Sequence, residues 1–86
     1  MKQPVRVTID YEPTHPATYI YYVPEEQANR PLSYRVGDSI VVDKNGSGEL
    51  VGIELLDLEP TTIITARKIA SDFGVDFPAH LTAVPA

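Results

Sequence analysis

The stretch from Val36 to Leu58 reads VGDSIVVDKNGSGELVGIELLDL, and its pattern predicts a β-hairpin. The run Ile40 to Val42 is β-branched, which suits the pleated surface of a strand. The cluster Asn45 to Gly48 follows it, and Asn and Gly tolerate the positive φ angles that tight turns need. Two strands joined by this turn are the part of the fold that the sequence indicates most clearly.

Two registers compete for the pairing of these strands. A two-residue Asn-Gly turn would place Lys44 opposite Ser47. A four-residue loop instead places Lys44 opposite Glu49, so that opposite charges face each other and two apolar pairs share one face. Each such cross-strand pair contributes roughly 0.2–1 kcal/mol, which favours the second register. That register pairs Lys44 with Glu49, Val42 with Val51 and Ile40 with Ile53.

The opposite face of the predicted hairpin is only partly apolar. A mixed face of this kind fits cover by a helix, by a second subunit or by another protein. It would carry Val41, Asp43, Leu50, Gly52, Glu54 and Leu56.

Residues before the hairpin predict further strands. Val5, Val7 and Ile9 alternate with polar residues, as expected of a half-buried strand. The sequence ATYIYYV at residues 17–23 predicts a second strand. Leu32–Val36 forms either a short strand of its own or the lead-in to the hairpin.

Residues 60–74 predict one helix, with its body from about residue 62 to residue 73. Pro60 suits the first turn, the pair Thr61–Thr62 offers a cap, and Gly74 stands where a C-terminal cap is expected. The β-branched run TTIIT favours a strand instead and is the conflicting signal.

This order of elements predicts an α+β fold, in which a small antiparallel β-sheet of about four strands is followed by one C-terminal helix. The 86 residues are expected to form a single small domain, with the β-hairpins at residues 4–58. An alternative places the helix at a dimer interface. Residues 75–86 form an apolar tail, expected to pack on the sheet or on a neighbouring subunit.

Composition and charge argue against several classes of function. The chain has 12 acidic and 7 basic residues and a net charge of −5, which opposes nucleic-acid binding through phosphate neutralisation. It has no apolar run of about 18 residues and no signal-peptide core, so we expect no membrane association. It has no cysteine for a disulfide or a zinc site. These features predict a cytoplasmic protein whose charge suits a basic partner or simply maintains solubility.

The segments TIDYEPTHPATYIYYV and DSIVVDKNGSGELVGIELLDL resemble the domain-of-unknown-function 2283 family. Three positions depart from its pattern: Ile9 replaces an opening Tyr, Pro16 replaces an acid, and Leu58 replaces a final Ala. The resemblance implies no established activity, although some members resemble the small partner encoded beside candidate toxins. The matching residues are Asp10, Ala17, Tyr19, Ile20, Asp43, Gly48, Leu50, Val51, Gly52, Ile53, Glu54, Leu55, Leu56 and Asp57.

No group of residues predicts catalysis, a cofactor or a metal site. Glu54, Asp57 and Glu59 come closest to a carboxylate cluster, but on a strand Glu54 points away from the other two. His15 and His80 have no acid, serine or further ligand at a telling spacing. An enzyme or ligand carrier that uses these acids and a histidine is therefore the least favoured hypothesis.

Tyr19, Tyr21 and Val23 are expected to share one face of the second predicted strand, and the tyrosines suggest a protein interface because aromatic residues anchor many interfaces. Packing within the sheet is their other expected role. The favoured hypothesis is a small acidic binding protein, an inhibitor or antitoxin-like partner of a basic protein. The alternative is a self-associating structural homodimer or larger oligomer with no catalytic role. The interface candidates are Tyr19, Tyr21, Val23, Glu54 and Leu56.

Overall fold

The computed structural model describes residues 2–10, 17–24 and 31–82, with residue 10 described by its backbone alone. Within these ranges the chain forms five strands and then one helix. The elements are β1 (Arg6–Asp10), β2 (Ala17–Tyr21), β3 (Leu32–Val36), β4 (Ile40–Lys44), β5 (Leu50–Leu55) and α1 (Pro60–Asp72).

The five strands form one antiparallel sheet in the order β1-β2-β5-β4-β3. The predicted α+β class is confirmed, with five strands rather than about four because Leu32–Val36 pairs along its whole length with β4. β5 lies at the centre of the sheet, and β1 and β3 lie at its edges.

One face of the sheet, here termed the helix face, carries the hydrophobic core. Ile20 on β2 lies opposite Ile53 on β5, and both side chains are completely buried. Ile63 and Ala66 of α1 pack against this layer, as a helix with a narrow apolar stripe does on one side of a sheet. The core consists of Ile20, Tyr22, Ile40, Val42, Leu50, Ile53, Leu55, Ile63, Ala66, Ala70, Val75 and Leu81.

The predicted register between β4 and β5 is wrong by two residues at Ile40 and Val42 and by one residue at Lys44. Val42 lies opposite Ile53 rather than Val51, and one extra residue, Val51, forms a bulge in β5. The turn is longer than predicted because the Asn45 side-chain oxygen accepts hydrogen bonds from the backbone N–H groups of Ser47 (3.1 Å) and Glu49 (2.9 Å).

The bulge also corrects the predicted composition of the mixed face. Leu50 was expected there, but it lies in the core on the helix face. The longer turn and the bulge together bring Leu50, Ile53 and Leu55 to one side of the sheet, where all three are buried. The observed pairs are Ile40 with Leu55, Val41 with Glu54, Val42 with Ile53, Asp43 with Gly52 and Lys44 with Leu50.

Helix α1 begins at Pro60 and ends at Asp72, so the TTIIT run is helical. Glu59 occupies the N-cap position without a side-chain cap, and the predicted threonine cap is wrong because Thr61 and Thr62 lie inside the helix. Gly74, with φ of 71°, follows the C-cap residue Phe73 as expected. Within the described ranges no helix is long and apolar enough to cross a membrane.

The segment after α1 folds back onto the sheet. Val75 forms a parallel bridge with Lys2, and Val75 and Leu81 both enter the core. The Tyr22 hydroxyl donates to the backbone oxygen of Asp76 (2.8 Å). Burial, followed by the nearby charge of Asp76, raises the pKa of Tyr22 to about 12. The first part of the predicted tail is therefore part of the core, and residues 83–86 lie outside the described ranges.

Candidate functional site

The opposite face of the sheet carries no helix or strand of the described residues, and it is here termed the open face. Strand alternation assigns its residues, since every second side chain points to this side. Tyrosines and charged residues dominate it, and most of them are exposed or half-buried. It comprises Arg6, Thr8, Tyr19, Tyr21, Ser33, Arg35, Val41, Asp43, Gly52 and Glu54.

Tyr19 lies across the central strand of this face. Its hydroxyl donates a hydrogen bond to Asp43 Oδ2 on β4, so the ring passes over Gly52 of β5. A Cβ atom at residue 52 would lie only 2.5 Å from Tyr19 Cε1. Glycine at this position therefore provides the space that the ring needs, as is common where another group closely approaches a strand.

The Asp43 carboxylate is held by two hydroxyl groups from different strands. Ser33 Oγ on β3 donates to Oδ1 at 2.5 Å, and Tyr19 donates to Oδ2. Asp43 is only 9 % exposed, and a buried carboxylate needs such donors to offset its lost hydration. Burial, together with the hydrogen bond to Asp43 and its negative charge, raises the pKa of Tyr19 and keeps this hydroxyl protonated as a donor.

An aromatic row continues from Tyr19 toward the β1 edge. The Tyr19 and Tyr21 ring centroids are 4.2 Å apart with an interplanar angle of 46°. The Arg6 guanidinium lies over the Tyr21 ring at 4.1 Å from its centroid, which is a cation–π arrangement. The open face thus already holds one guanidinium group against a tyrosine ring.

Glu54 lies near the middle of the open face, on the central strand β5. Its register partners are Tyr19 on β2 and Val41 on β4. Its carboxylate has no hydrogen-bond or ion-pair partner among the residues that the structure describes. The result is a half-buried negative charge beside an aromatic ring and an aliphatic side chain.

The five predicted interface residues lie in three different environments. Tyr19, Tyr21 and Glu54 come together on the open face. Leu56 follows the end of β5 and is 36 % exposed, apart from this cluster. Val23 follows β2 and is 2 % exposed, so its side chain presents almost no surface to a partner.

Asp57 has a structural role at the start of α1. Oδ1 accepts hydrogen bonds from the Glu59 backbone N–H (3.0 Å) and from Thr62 Oγ1 (2.5 Å), and Oδ2 accepts from Ser39 Oγ. Burial acts to raise the pKa of Asp57, but the Ser39, Thr62 and Glu59 hydrogen bonds outweigh it and lower the pKa. This carboxylate therefore joins the start of α1 to the start of β4.

Two surface pockets lie apart from the Tyr19–Glu54 region of the open face. One, of about 260 Å³, adjoins the first turn of α1 and the segment from Val36 to Ile40. The other, of about 450 Å³, follows the β1 edge and includes His80 beside Pro78. The described ranges contain no group of three His, Asp or Glu residues that could hold a metal ion. The other histidine considered above, His15, lies outside the described residues.

Sequence reasoning placed Tyr19 and Tyr21 on one face but missed the contact between Tyr19, Gly52 and Asp43. The available signal was a glycine inside a strand, in the sequence VGIE, because such a glycine often marks a close approach. The wrong register concealed it, since only the observed register puts Gly52 opposite Asp43.

Comparisons of this chain with models of protein families, with curated proteins and with solved structures found no match. The resemblance to the domain-of-unknown-function 2283 family therefore stays a prediction.

Proposed function

We propose that this chain is a binding protein whose open face holds a basic segment of a partner protein. The observation that carries the proposal is the Glu54 carboxylate, unpaired among the described residues and half-buried beside Tyr19 on the central strand. A partner that covered this face without offering a positive charge would bury the carboxylate uncompensated, at a substantial cost in free energy. The face therefore favours partners that present an arginine or a lysine.

The surrounding side chains support the same partner chemistry. Tyrosine rings attract cationic groups to their faces, and the Arg6–Tyr21 stack shows this geometry on the same surface. Tyrosine is also among the residues that contribute most at protein interfaces. The net charge of −5 adds a long-range attraction for a basic protein.

The resemblance to the domain-of-unknown-function 2283 family favours one form of this function, an inhibitor or antitoxin-like protein in the cytoplasm. In such a role the acidic chain would occupy a basic surface of its partner. The proposal assigns the chain no catalytic step and no cofactor.

The test is capture of proteins from a host lysate on the immobilised chain, compared with capture on two charge-matched variants. Glu54→Lys reverses the central charge of the open face, whereas Asp72→Lys makes the same change in net charge at the exposed end of α1. We expect a basic protein to bind the unmodified chain and Asp72→Lys in equal amounts and to be lost with Glu54→Lys. Equal capture by all three chains, or equal loss with both variants, would contradict the proposal.

A self-associating structural protein is the second candidate function. It is favoured by a separate observation, the exposed apolar side chains of the edge strand β3, where Leu32 is 62 % exposed and Tyr34 is 41 % exposed.

A further inference from the structure

Among the described residues the edge strand β3 has one unpaired side, and its sequence is complementary to a second, antiparallel copy of itself. We propose that two copies of this chain join their β3 strands antiparallel around a twofold axis at Tyr34, forming one continuous sheet. This inference deepens the second candidate function. It involves the β3 edge rather than the Glu54 region, so it can hold or fail independently of partner binding on the open face.

β3 is largely exposed, and no segment of the described residues covers its outer side. Four of its five residues are exposed, and its pairing with β4 is regular and without a bulge. It contains neither a lysine nor a proline, the residues that commonly block edge-to-edge pairing. Leu32, Tyr34 and Val36 alternate onto the helix face, where Leu32 and Tyr34 are exposed and Val36 is partly buried against the core.

The opposite edge of the sheet is less accessible. Pro4 lies just before β1, and the chain at Pro78–His80 follows this edge and bounds a pocket with it. An added strand at β1 would have to displace or fit beside that segment. Of the two edges, β3 is therefore the one that no described segment of the chain follows.

The hydrogen bonds of the neighbouring strands identify the free backbone groups of β3. The Leu56 N–H donates to the Ser39 oxygen at 2.8 Å, which makes these two residues a hydrogen-bonded pair between β5 and β4. Bonded residues alternate along an antiparallel strand. Val41 therefore bonds to β5, while its neighbour Val42 bonds to Tyr34 on β3.

The same alternation leaves the N–H and C=O groups of Ser33 and Arg35 directed away from the sheet. These outward groups must pair with the outward groups of an added strand. For two antiparallel copies of β3 only three registers do so: Ser33 opposite Ser33, Arg35 opposite Arg35, or Ser33 opposite Arg35.

Two of the three registers carry a defect. Ser33 opposite Ser33 would place Arg35 opposite Pro31 of the second copy, and proline has no N–H to donate. Arg35 opposite Arg35 would set two like charges face to face, which is destabilising. The remaining register pairs Ser33 with Arg35 in both directions and has neither defect.

The favoured register also matches the side chains across the axis. On the helix face Leu32 lies opposite Val36 of the second copy, and the two Tyr34 rings meet at the axis in a non-hydrogen-bonded pair. Since Val42 lies beside Tyr34 in each copy, an apolar row crosses the junction, with the Lys44 ammonium over each Tyr34 ring at 5.2 Å from its centroid. On the open face Arg35 of one copy lies next to Ser33 of the other, whose hydroxyl binds Asp43. The junction thus brings a positive charge toward a carboxylate, as expected of a self-complementary interface.

The first test measures self-association by sedimentation equilibrium up to millimolar protein. We expect the unmodified chain to form a dimer and both Tyr34→Lys and Tyr34→Glu to weaken it about tenfold or more, because like charges then face each other at the axis. Mixing these two variants should restore a dimer, since opposite charges then meet. The matched control is Ile64→Lys, at a helix position that is 67 % exposed, and it should leave the dimer unchanged.

The second test reads the register directly, because the chain has no native cysteine. In a non-hydrogen-bonded pair the Cα atoms are about 4.5 Å apart, within the reach of a disulfide. Mild oxidation should therefore link Tyr34→Cys into a covalent dimer. Leu32→Cys should stay unlinked, because its neighbour across the junction is Val36, and the double variant Leu32→Cys with Val36→Cys should link.

Three results would overturn the inference. They are a monomer at millimolar concentration, a dimer that survives both charge variants, and equal cross-linking of Tyr34→Cys and Leu32→Cys. Far-UV circular dichroism of each variant verifies that a lost dimer reflects the junction rather than unfolding. None of these results depends on Glu54 or on a basic partner.

Discussion

The two faces of this sheet bury their side chains by different means. On the helix face, α1 and the segment that follows it cover aliphatic side chains such as Ile20 and Ile53. On the open face, Tyr19 lies across Gly52 and binds the buried carboxylate of Asp43. An aliphatic core tolerates changes that keep its volume, whereas a buried polar network depends on each donor. The open face should therefore be sensitive to changes as small as one methyl group or one hydroxyl.

The largest expected effect comes from the helix face. Ile53→Ala removes a completely buried side chain from the central strand, and the cavity it leaves should cost about 2–5 kcal/mol in the free energy of unfolding. Urea unfolding followed by circular dichroism measures the loss. Ile64→Ala on the exposed side of α1 is the control, expected to change stability by less than about 0.5 kcal/mol. A similar decrease in the free energy of unfolding for the two variants would contradict the burial of Ile53 in the core.

Gly52→Ala is the sharpest test of the open face. The added methyl group would overlap the Tyr19 ring and displace its hydroxyl from Asp43, at an expected cost of about 1–3 kcal/mol. The control is the same change in a Tyr19→Ala background, where no ring lies over the strand. There the methyl group should cost far less, and an equal cost in both backgrounds would mean that the ring lies elsewhere.

Tyr19→Phe removes one donor to Asp43 while keeping the ring, and it should cost about 1–2 kcal/mol at neutral pH. The substitution should also change how the free energy of unfolding depends on pH in the alkaline range. Because the pKa of Tyr19 is raised in the folded protein, its contribution is complete below the unfolded value of about 10 and declines as the pH rises above it. Urea unfolding on both sides of that pH should therefore show a shallower decline for Tyr19→Phe than for the unmodified chain. Parallel curves would contradict the Tyr19–Asp43 contact.

The smallest effect concerns the carboxylate that positions α1 over the helix face. The pKa of Asp57 is lowered in the folded state, so its contribution is present above the unfolded value of about 3.9 and is lost as the pH falls through the folded value. In the Asp57→Asn variant the free energy of unfolding should therefore decrease slightly less steeply as the pH falls. Urea unfolding between neutral pH and pH of about 3 tests it, with Asp72→Asn as the control that should keep the slope of the unmodified chain.

The hairpin shows which structural features the local sequence pattern predicts in this chain and which it does not. The sequence correctly predicts strands around Ile40–Val42 and after the Asn-Gly turn, because β-branched residues and turn residues act locally. It does not predict the register, which rests on the Asn45 side-chain bonds within the turn and on a bulge at Val51 that depends on the packing of β5 between β2 and β4. The two apolar cross-strand pairs used for the prediction bury little surface compared with the whole core, so they did not decide the register.

The candidate site was only partly predictable for the same reason. Tyr19, Tyr21 and Glu54 could be named as interface candidates from alternation and chemistry. Their alignment across β2 and β5, and the contact with Asp43 on β4, depend on strands that are distant in the sequence. Val23 shows the converse, since alternation along the predicted strand placed it on the face of Tyr19 and Tyr21, whereas the folded chain buries it.

Local sequence thus determined the strands β1, β2, β4 and β5, the order of strands before helix, and the negative net charge. Strand alternation and turn chemistry act over a few residues, and charge follows from composition. Tertiary structure alone decided that β3 is a full edge strand, that Gly52 lies under Tyr19, and which face carries no described helix. These features depend on which strands become neighbours, and that follows from burying the whole core at once rather than from any one segment.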